Sequence, residues 1–466
     1  MNILLVDATF YRKQIDNDLK KLKEQYFKIK KHIQDKYLGI IDDSNTRIFS
    51  QGLLRIATLM KRAGEDIEFI SLEDLQDENN LMRKKIRAGY FDKICFSAVT
   101  PTVPACATFA KYEQIKGVQS EFFIGGPHVN EAARETQKRY PIFEGKCVSA
   151  FEKDAVDTIL GYETPESIIY GDYVDFTILP HPLQEYEINN LFTALGCSYN
   201  CKYCADGRMP RVDNSLTGGY ENIYPLLGNK RRLIHFFDSN LGHDKNRLFQ
   251  VCNALKEVKN DDNIFSCNMR PELIDEETCT ALLSAGFRDV MIGIESVDEL
   301  VLKSNNKGIT LSDLESKLKL LKEMGFFTTA YTLVGMPSTS RKTFERTIKM
   351  CKYFTGEGLI TDCKVPAIYV PYPRDNFDYL AELGVEINPK ANWSDYDRKS
   401  FPVFNLRSGN EIITAEEIWE ANLNIHREII SAMCQRENVN IDNLGKPLNY
   451  HTSNLYGIVG EGYEEH

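Results

Sequence analysis

Cys197, Cys201 and Cys204 stand in the run Leu-Gly-Cys-Ser-Tyr-Asn-Cys-Lys-Tyr-Cys, a C-x3-C-x2-C spacing with Tyr203 just before the third thiol. Three thiols this close cannot all turn into a core, and neighbouring cysteines seldom bridge one another. They are soft ligands, suited to iron at three corners of an iron–sulfur cluster. A structural zinc site would recruit a fourth ligand from a second C-x2-C pair or from histidines, and the sequence has no such partner pair. Three protein ligands leave one iron open. That suits a cluster that binds a substrate or cofactor rather than one that only passes electrons.

With 466 residues the chain exceeds one ordinary core, so two domains with an appendage are expected. A hydrophobic share of 42% and a charged share of 26% describe a soluble globular protein. The net charge of −11 argues against a general nucleic-acid binder, because nothing would neutralise phosphates broadly. The basic groups at Arg208, Arg211 and Lys230–Arg232 read as a solvated face or a few anion contacts. Twelve cysteines in a chain of this length are not a disulfide framework, and Cys95, Cys267 and Cys351 sit in apolar runs as small core residues. The start, Met-Asn-Ile-Leu-Leu-Val-Asp, reads as a strand rather than a signal peptide, and no apolar run reaches membrane-spanning length. A reducing cytoplasm is the expected location.

Over residues 1–165 strand-like and helix-like runs alternate. Ile3–Val6, Asp66–Ile70, Lys93–Ser97 and Glu121–Ile124 read as strands, with a further short one near Cys147. Phe49–Gly64 and roughly Val103–Lys116 read as helices, and a lysine-rich, helix-like insertion covers about Tyr11 to Asp43. This order builds a doubly wound, Rossmann-like parallel sheet, whose ligands sit beyond the C-terminal strand ends. Ser97-Ala-Val-Thr100-Pro-Thr102 follows the third strand, Gly125-Gly126-Pro-His128 the fourth, and Glu144-Gly145 precedes the fifth. Glycines allow close backbone approach, and hydroxyls can meet a polar tail.

Residues 166–188, rich in proline and aromatics, read as a linker. From 189 to 375 the alternation resumes. Strands are expected at Asn189–Ala194, Leu233–Phe237, Ile264–Asn268, Val290–Ile294, Phe327–Val334 and Lys364–Val370, with helices near Lys245–Val258, Asp275–Ala285, Leu311–Met324 and Arg341–Tyr353. The pattern is that of a six-stranded partial (β/α) barrel, with the cysteine loop at the end of its first strand. Asp238 and Asn240 are expected to face a substrate or cap a helix. Residues 376–466 are expected to form a mainly helical cap, with helices at Asp375–Leu383 and Ala415–Gln435.

The cysteine run, together with the strand ends that follow it, resembles the radical S-adenosylmethionine (SAM) superfamily over roughly residues 190–375. The resemblance implies that Cys197, Cys201 and Cys204 bind a 4Fe–4S cluster whose fourth iron is chelated by SAM, and that the cluster's electron cleaves SAM to a 5′-deoxyadenosyl radical. It implies an electron donor such as flavodoxin or ferredoxin. It also implies SAM contacts at Tyr203 (adenine), Arg270 (carboxylate), Glu295 and Ser296 in Gly-Ile-Glu-Ser, and Gly335 (adenosine). A structural reading stands beside it, in which Arg270 and Glu295 form ion pairs that close the barrel mouth. The first domain is similar to the cobalamin-binding domain of a large subgroup of that superfamily. That similarity implies cobalamin contacts at Ser97, Thr100, Thr102, Gly125, Gly126, His128, Glu144 and Gly145. The Asp-x-His-x-x-Gly motif for an axial histidine is absent, so cobalamin without a histidine lower ligand is expected. With only Cys434 in the last segment, no auxiliary cluster is expected.

The resemblance implies a cobalamin-dependent radical SAM methyltransferase acting on an unactivated centre of a small-molecule or natural-product substrate. Two rivals stand beside it. One is a radical SAM enzyme of another class, for ring contraction, cyclisation, dehydration or epimerisation. The other is an iron–sulfur or zinc binding protein without radical chemistry.

Overall fold

The computed structural model describes residues 1–8, 16–39, 49–148, 152–169, 174–181, 193–204, 206–208, 211–213, 232–241, 244–258, 263–364, 367–371, 378–397, 401–408 and 411–444. The first unit runs β1 (Asn2–Asp7), α1 (Asn17–Leu38), α2 (Gln51–Arg62), β2 (Asp66–Ser71), α3 (Leu81–Arg87), β3 (Lys93–Ser97), α4 (Val103–Ile115), β4 (Glu121–Gly125), α5 (Pro127–Arg139), α6 (Glu152–Leu160) and α7 (Glu166–Ile169). Its strands are parallel in the order β2-β1-β3-β4, and a parallel bridge from Ile124 to Cys147 starts a fifth position. Both faces are covered, so the strands are apolar throughout. Ile3, Leu5, Phe69, Cys95 and Phe123 pack under α2 and α6, while Leu4, Val6, Ile94, Phe96 and Phe122 face the opposite core. The order departs in both directions from β1, which makes the carboxyl ends of β1 and β3 a topological switch point.

The charged insertion after β1 becomes α1, started by Asp16, whose side chain accepts from Asp18 and Leu19 N–H, and stopped by Gly39 in the left-handed region. One stripe of it is apolar, with Leu19, Tyr26, Ile29 and Ile33 buried. That stripe leaves the first sheet and packs on the C-terminal helix of the chain.

The second unit runs β5 (Ala194–Leu195), β6 (Val212–Asp213), β7 (Arg232–Phe236), α8 (Lys245–Val258), β8 (Asn263–Met269), α9 (Glu276–Ala285), β9 (Phe287–Glu295), α10 (Glu299–Ser304), α11 (Leu311–Glu323), β10 (Phe327–Val334), α12 (Arg341–Gly356), β11 (Asp362–Cys363) and β12 (Ala367–Ile368). Its parallel sheet has the order β11-β10-β9-β8-β7, with β12 also on β10. Two expectations change. The strand expected at Asn189–Ala194 lies mostly outside the described residues, and its described end, β5, pairs antiparallel with β6 instead of joining the sheet. The strand expected at Lys364–Val370 is replaced by two short pieces, β11 and β12, both laid along β10.

Alternate residues of the curved sheet face inward, and several of them are polar. His235 Nδ1 meets Ser266 Oγ at 2.7 Å, and Thr329 Oγ1 donates to Asp289 at 3.0 Å. Lys364 Nζ donates to Tyr331 Oη at 3.1 Å. Tyr26 of α1 donates to Asp362 at 2.9 and 3.0 Å. The outward residues between them, such as Phe265, Cys267, Val290 and Ile292, are apolar and buried under the helices.

The last region runs α13 (Asp378–Glu382), β13 (Val385–Ile387), β14 (Phe404–Ser408), β15 (Glu411–Ile413) and α14 (Ala415–Glu437). The expectation of a mainly helical cap is corrected here, because β13-β14-β15 form an antiparallel sheet. Its signal was the two-residue Gly-Asn separation between β14 and β15, a hairpin spacing. α14 opens on a capping box between Thr414 and Glu417 and ends at Asn438 in the left-handed region. Among the described residues no helix is long and apolar enough to cross a membrane.

Burial pushes the Asp289 carboxyl up from the ordinary 3.8 to about 7. A carboxyl whose pKa is raised by folding adds stability below its unfolded pKa and loses it as pH rises through the folded one. The thermal stability of the natural protein should therefore fall relative to Asp289→Asn as pH rises from about 4 to about 7. A melting-temperature difference that stays constant across that window would contradict this assignment.

Candidate functional site: the cysteine loop at the barrel mouth

The loop carrying the three cysteines has almost no ladder of its own, so side chains from neighbouring strand ends fix it. Asp238, just past β7, accepts from the Thr193 backbone N–H at 2.9 Å and from its hydroxyl at 2.6 Å. Arg247 of α8 donates to the Thr193 carbonyl at 2.9 Å. Asp238 is buried, and that burial lifts its carboxyl to about 6 despite the two donors. Asn240 accepts from the Arg270 backbone N–H at 2.9 Å, tying the end of β7 to the end of β8. Ser239 donates to Asp206, beyond the third cysteine, at 2.7 Å.

The loop after α10 presses on the cysteines from the other side. Lys202 N–H donates to the Asn305 carbonyl at 3.1 Å, and the Cys201 thiol to the Asn306 carbonyl at 3.7 Å. Asn306 adopts φ 57°, a left-handed turn position that asparagine tolerates. Gly207 lies so close to the Tyr199 carbonyl that an added Cβ would stand 2.4 Å from its oxygen. Cys201 is buried, while Cys197 and Cys204 are half-buried, and burial raises the Cys204 thiol to about 11. Among the described residues no three His, Cys, Asp or Glu side chains are grouped as the ligands of a single ion would be.

Arg270 is the centre of the charged groups here. Its Nη1 donates to Cys201 Sγ at 3.2 Å, its guanidinium lies 3.8 Å from the centre of the Tyr199 ring, and Nη2 reaches both the Glu272 carboxylate and the Lys307 carbonyl. Its Nε is buried with no hydrogen-bond partner, as is Asn240 Nδ2. Glu295 ends β9 at φ 63° and pairs with the buried Lys307 at 3.4 Å. Gly293 makes room for that pair, since a Cβ there would lie 2.4 Å from Glu295 Oε1. Both Arg270 and Glu295 thus have ion-pair neighbours, although not each other. Tyr203 lies beside Glu295 and the thiols, and burial, with those charges, raises its phenol further.

Two other expected SAM contacts are drawn into packing. Ser296 is buried and its hydroxyl accepts from Asp298 N–H at 3.2 Å, inside the turn that starts α10. At Gly335, φ 80°, the space for a side chain is taken by Ile418 of α14, 2.9 Å from an added Cβ.

The eight residues expected around cobalamin divide. Ser97, Gly125 and Gly126 sit at the carboxyl edge of the first sheet, where Gly126 (φ 97°) packs 2.7 Å from the Ala98 backbone, measured from an added Cβ. Thr100 meets His128 Nδ1 at 3.0 Å, and His128 Nε2 meets Thr136 at 3.0 Å, so both ring nitrogens are engaged. Burial holds His128 neutral, down at about 4. Thr102 donates to the Val99 carbonyl at 3.0 Å and accepts from Val99 N–H at 3.1 Å. Glu144 and Gly145 do not join the group. They are exposed at the entry of the fifth position, where the next residue, Lys146, pairs with Glu121 at the amino end of β4. A turn that precedes a parallel strand lies at the opposite edge from the strand's ligand end, and these two residues are withdrawn from the site.

The sequence did not single out Tyr199, Asn305, Lys307 or Trp393. Asn305-Asn306-Lys307-Gly308 carries a readable turn signal. Trp393 carries none. It arrives from the C-terminal region and packs its ring 4.5 Å from His128 and 5.7 Å from Tyr140.

Residues 191–351 match the family model described as the radical SAM superfamily. An uncharacterized methyltransferase of Pyrococcus horikoshii is 25% identical over 410 residues, covering 79% of this chain and 84% of that protein. An anaerobic magnesium-protoporphyrin IX monomethyl ester cyclase of Cereibacter sphaeroides is 24% identical over 415 residues, covering 79% of this chain and 64% of the cyclase. In fold the chain is similar to the radical SAM methyltransferase TsrM of Kitasatospora setae, with a TM-score of 0.62 at 14% identity over 92% of this chain and 89% of TsrM. The match over 191–351 covers the cysteine loop and the strand ends gathered round it.

Proposed function

We propose that the protein is a cobalamin-dependent radical SAM methyltransferase. One observation carries this reading: the likeness to TsrM runs through both units, not the barrel alone, with 92% of the chain covered. TsrM has been solved with cobalamin and a [4Fe–4S] cluster, and with tryptophan substrate and a SAM analogue. A methyltransferase-named relative spanning 79% of the chain supports the same reading. When bound, cluster and SAM supply a radical that abstracts hydrogen, and cobalamin supplies a transferable methyl group.

The chain's own residues fit these groups. Cys197, Cys201 and Cys204 would hold three irons. The buried, unpartnered Nε of Arg270 and Nδ2 of Asn240 offer donors at the barrel mouth for a zwitterionic ligand such as SAM. Arg270 would meet its carboxylate, Glu295 its methionine or ribose part, and Tyr203 its adenine. Ser296 and Gly335 would act by shaping strand ends. The small residues Ala8, Ala98 and Gly126 at the first sheet's switch point suit close approach of a large flat cofactor. With both nitrogens of His128 engaged inside the fold, cobalt would receive no ligand from His128. An external one-electron donor, such as flavodoxin or ferredoxin, belongs to this reading.

The cyclase relative favours a second reading, radical chemistry without methyl transfer. Incubation of anaerobically reconstituted enzyme with SAM and reductant separates the two. Methyl transfer predicts S-adenosylhomocysteine that accumulates only when cobalamin is present; 5′-deoxyadenosine alone would favour the second.

Three variants test the residue roles. Cys201→Ala should lose bound iron and all SAM cleavage, read by iron analysis and product chromatography, and cleavage that persists would exclude the cluster assignment. Asp238→Ala strands the Thr193 donors in a buried site, at a cost of about 1–3 kcal/mol. It should lower both melting temperature and iron per chain after reconstitution. His128→Gln should leave the electron paramagnetic resonance spectrum of bound cob(II)alamin unchanged, whereas altered cobalt coordination would show the histidine to be a ligand.

A further inference from the structure

The inward face of the barrel sheet holds acidic and basic side chains that do not touch. Closed parallel barrels fill this space with branched aliphatic side chains. Here Asp289 is buried, accepts a single hydrogen bond, from Thr329, and has no ion pair among the described residues. Asp362, equally buried, accepts only from Tyr26 among the described residues. Lys364 is half-buried, and its contacts are the hydroxyl of Tyr331 and the Tyr331 ring, 4.6 Å from Nζ to the centroid. No carboxylate lies within ion-pair distance of that ammonium among the described residues. Yet the groups share one face: Thr329 of β10 donates to Asp289 and is the register partner of Asp362, and Tyr331, two residues further along β10, accepts from Lys364. Buried charges normally end in contact with a counter-charge, because desolvating them otherwise costs several kcal/mol.

The sheet is also closed on its open side. β7 and β11 are the two ends of the described strand order, and α1 reaches the β11 end through Tyr26. Its Tyr26 reaches Asp362 on β11, and the charge of its Lys30 bears on His235 of β7 and on Asp289. Tyr37 packs its ring 6.5 Å from that of Phe327 at the start of β10. A macromolecule presenting one side chain would need that side open.

We propose that the barrel interior binds a small zwitterionic, amino-acid-like molecule, its ammonium between Asp289 and the Asp362–Tyr26 pair and its carboxylate at Lys364, enclosed by α1. The assignment rests on the methyltransferase reading only in taking this ligand as substrate; the site itself is tested by binding. An ammonium meeting Asp289 and a carboxylate meeting Lys364 would complete two charge-assisted pairs the chain leaves open.

Isothermal titration of the full chain, reconstituted with cluster and SAM, is made against the twenty L-amino acids. Each one that binds is then compared with its matching L-2-hydroxy acid and with its decarboxylated amine. At least one amino acid should bind, with both analogues about tenfold weaker or worse. Asp289→Asn should weaken the amino acid and the amine about tenfold while leaving the hydroxy acid unchanged. Lys364→Met should weaken the amino acid and the hydroxy acid and spare the amine. Comparing ligands within one variant keeps the result readable even where a substitution lowers stability. No amino acid binding, analogues that bind as tightly, or variants that weaken all three ligands alike would overturn the proposal. Binding as expected without cobalamin-dependent S-adenosylhomocysteine would leave this site standing and remove the methyltransferase reading instead.

Discussion

Two hydrogen bonds from Thr193 to one buried carboxylate, Asp238, set where the cysteine loop begins, at 2.9 and 2.6 Å. The loop needs this because β5, two residues long, gives it almost no backbone ladder. Ionising a carboxyl in that burial is unfavourable, as its rise to about 6 shows, and the Thr193 N–H and hydroxyl offset part of the penalty. From there the position passes outward in short steps. Asp238 accepts at Thr193, Asn240 at the backbone of Arg270, and Arg270 reaches the sulfur of Cys201 at 3.2 Å. Each step joins the loop to the end of a buried strand, so the precision of the thiols is inherited from the sheet.

The two units are joined by more than a linker. One apolar core continues from Leu4 and Val6 of β1 through α1 to the barrel and α14. Polar ties lie around it. Glu437 of α14 accepts from Lys36 of α1 at 2.6 Å and from Arg436 at 2.7 Å, and Tyr26 meets Asp362. At the other end Trp393 sits on His128, with Arg139 stacked 5.0 Å from its ring. Interfaces between domains are usually modest and polar, which leaves them free to move. A shared apolar core with ties at separate points resists such motion, so the strand ends of the two sheets keep one relative placement.

Much of this was legible in the sequence because periodicity reports burial. β10 and the helices α8, α9, α11 and α12 fall where apolar spacing placed them, to within a few residues. The cysteine loop was legible because thiolate spacing is chemistry, independent of fold. The failures share a cause, which is that tertiary contacts leave no local mark. Lys364–Val370 reads as one strand by composition, but the pairing with β10 falls on β11, just before it, and on the two residues of β12 within it. Nothing local says that a lysine-rich insertion will meet a barrel strand far along the chain, as Tyr26 meets Asp362, 336 positions away. Glu144 and Gly145 look like ligand-edge residues until the direction of the fifth position is known. Thr100 and His128 were placed at the correct sheet edge, yet the sequence could not say that they would satisfy each other.

The ion-pair and ligand readings of Arg270 and Glu295 are less opposed than the sequence suggested. A side chain that must meet a charged ligand has to be held before the ligand arrives, or its ordering is charged against binding. Glu272 and the Lys307 carbonyl hold one end of the Arg270 guanidinium, and Tyr199 supports its face, while Nε stays buried and unpartnered. Glu295 is turned by a left-handed backbone that a glutamate rarely adopts, and Gly293 clears the space into which its carboxylate bends toward Lys307. Strain of this kind persists only where surrounding contacts over-determine it. Its place at the end of β9, beside the cysteine loop, is where a pre-set carboxylate is of most use. The neighbouring charges then position these two residues at the strand ends beside the cysteine loop.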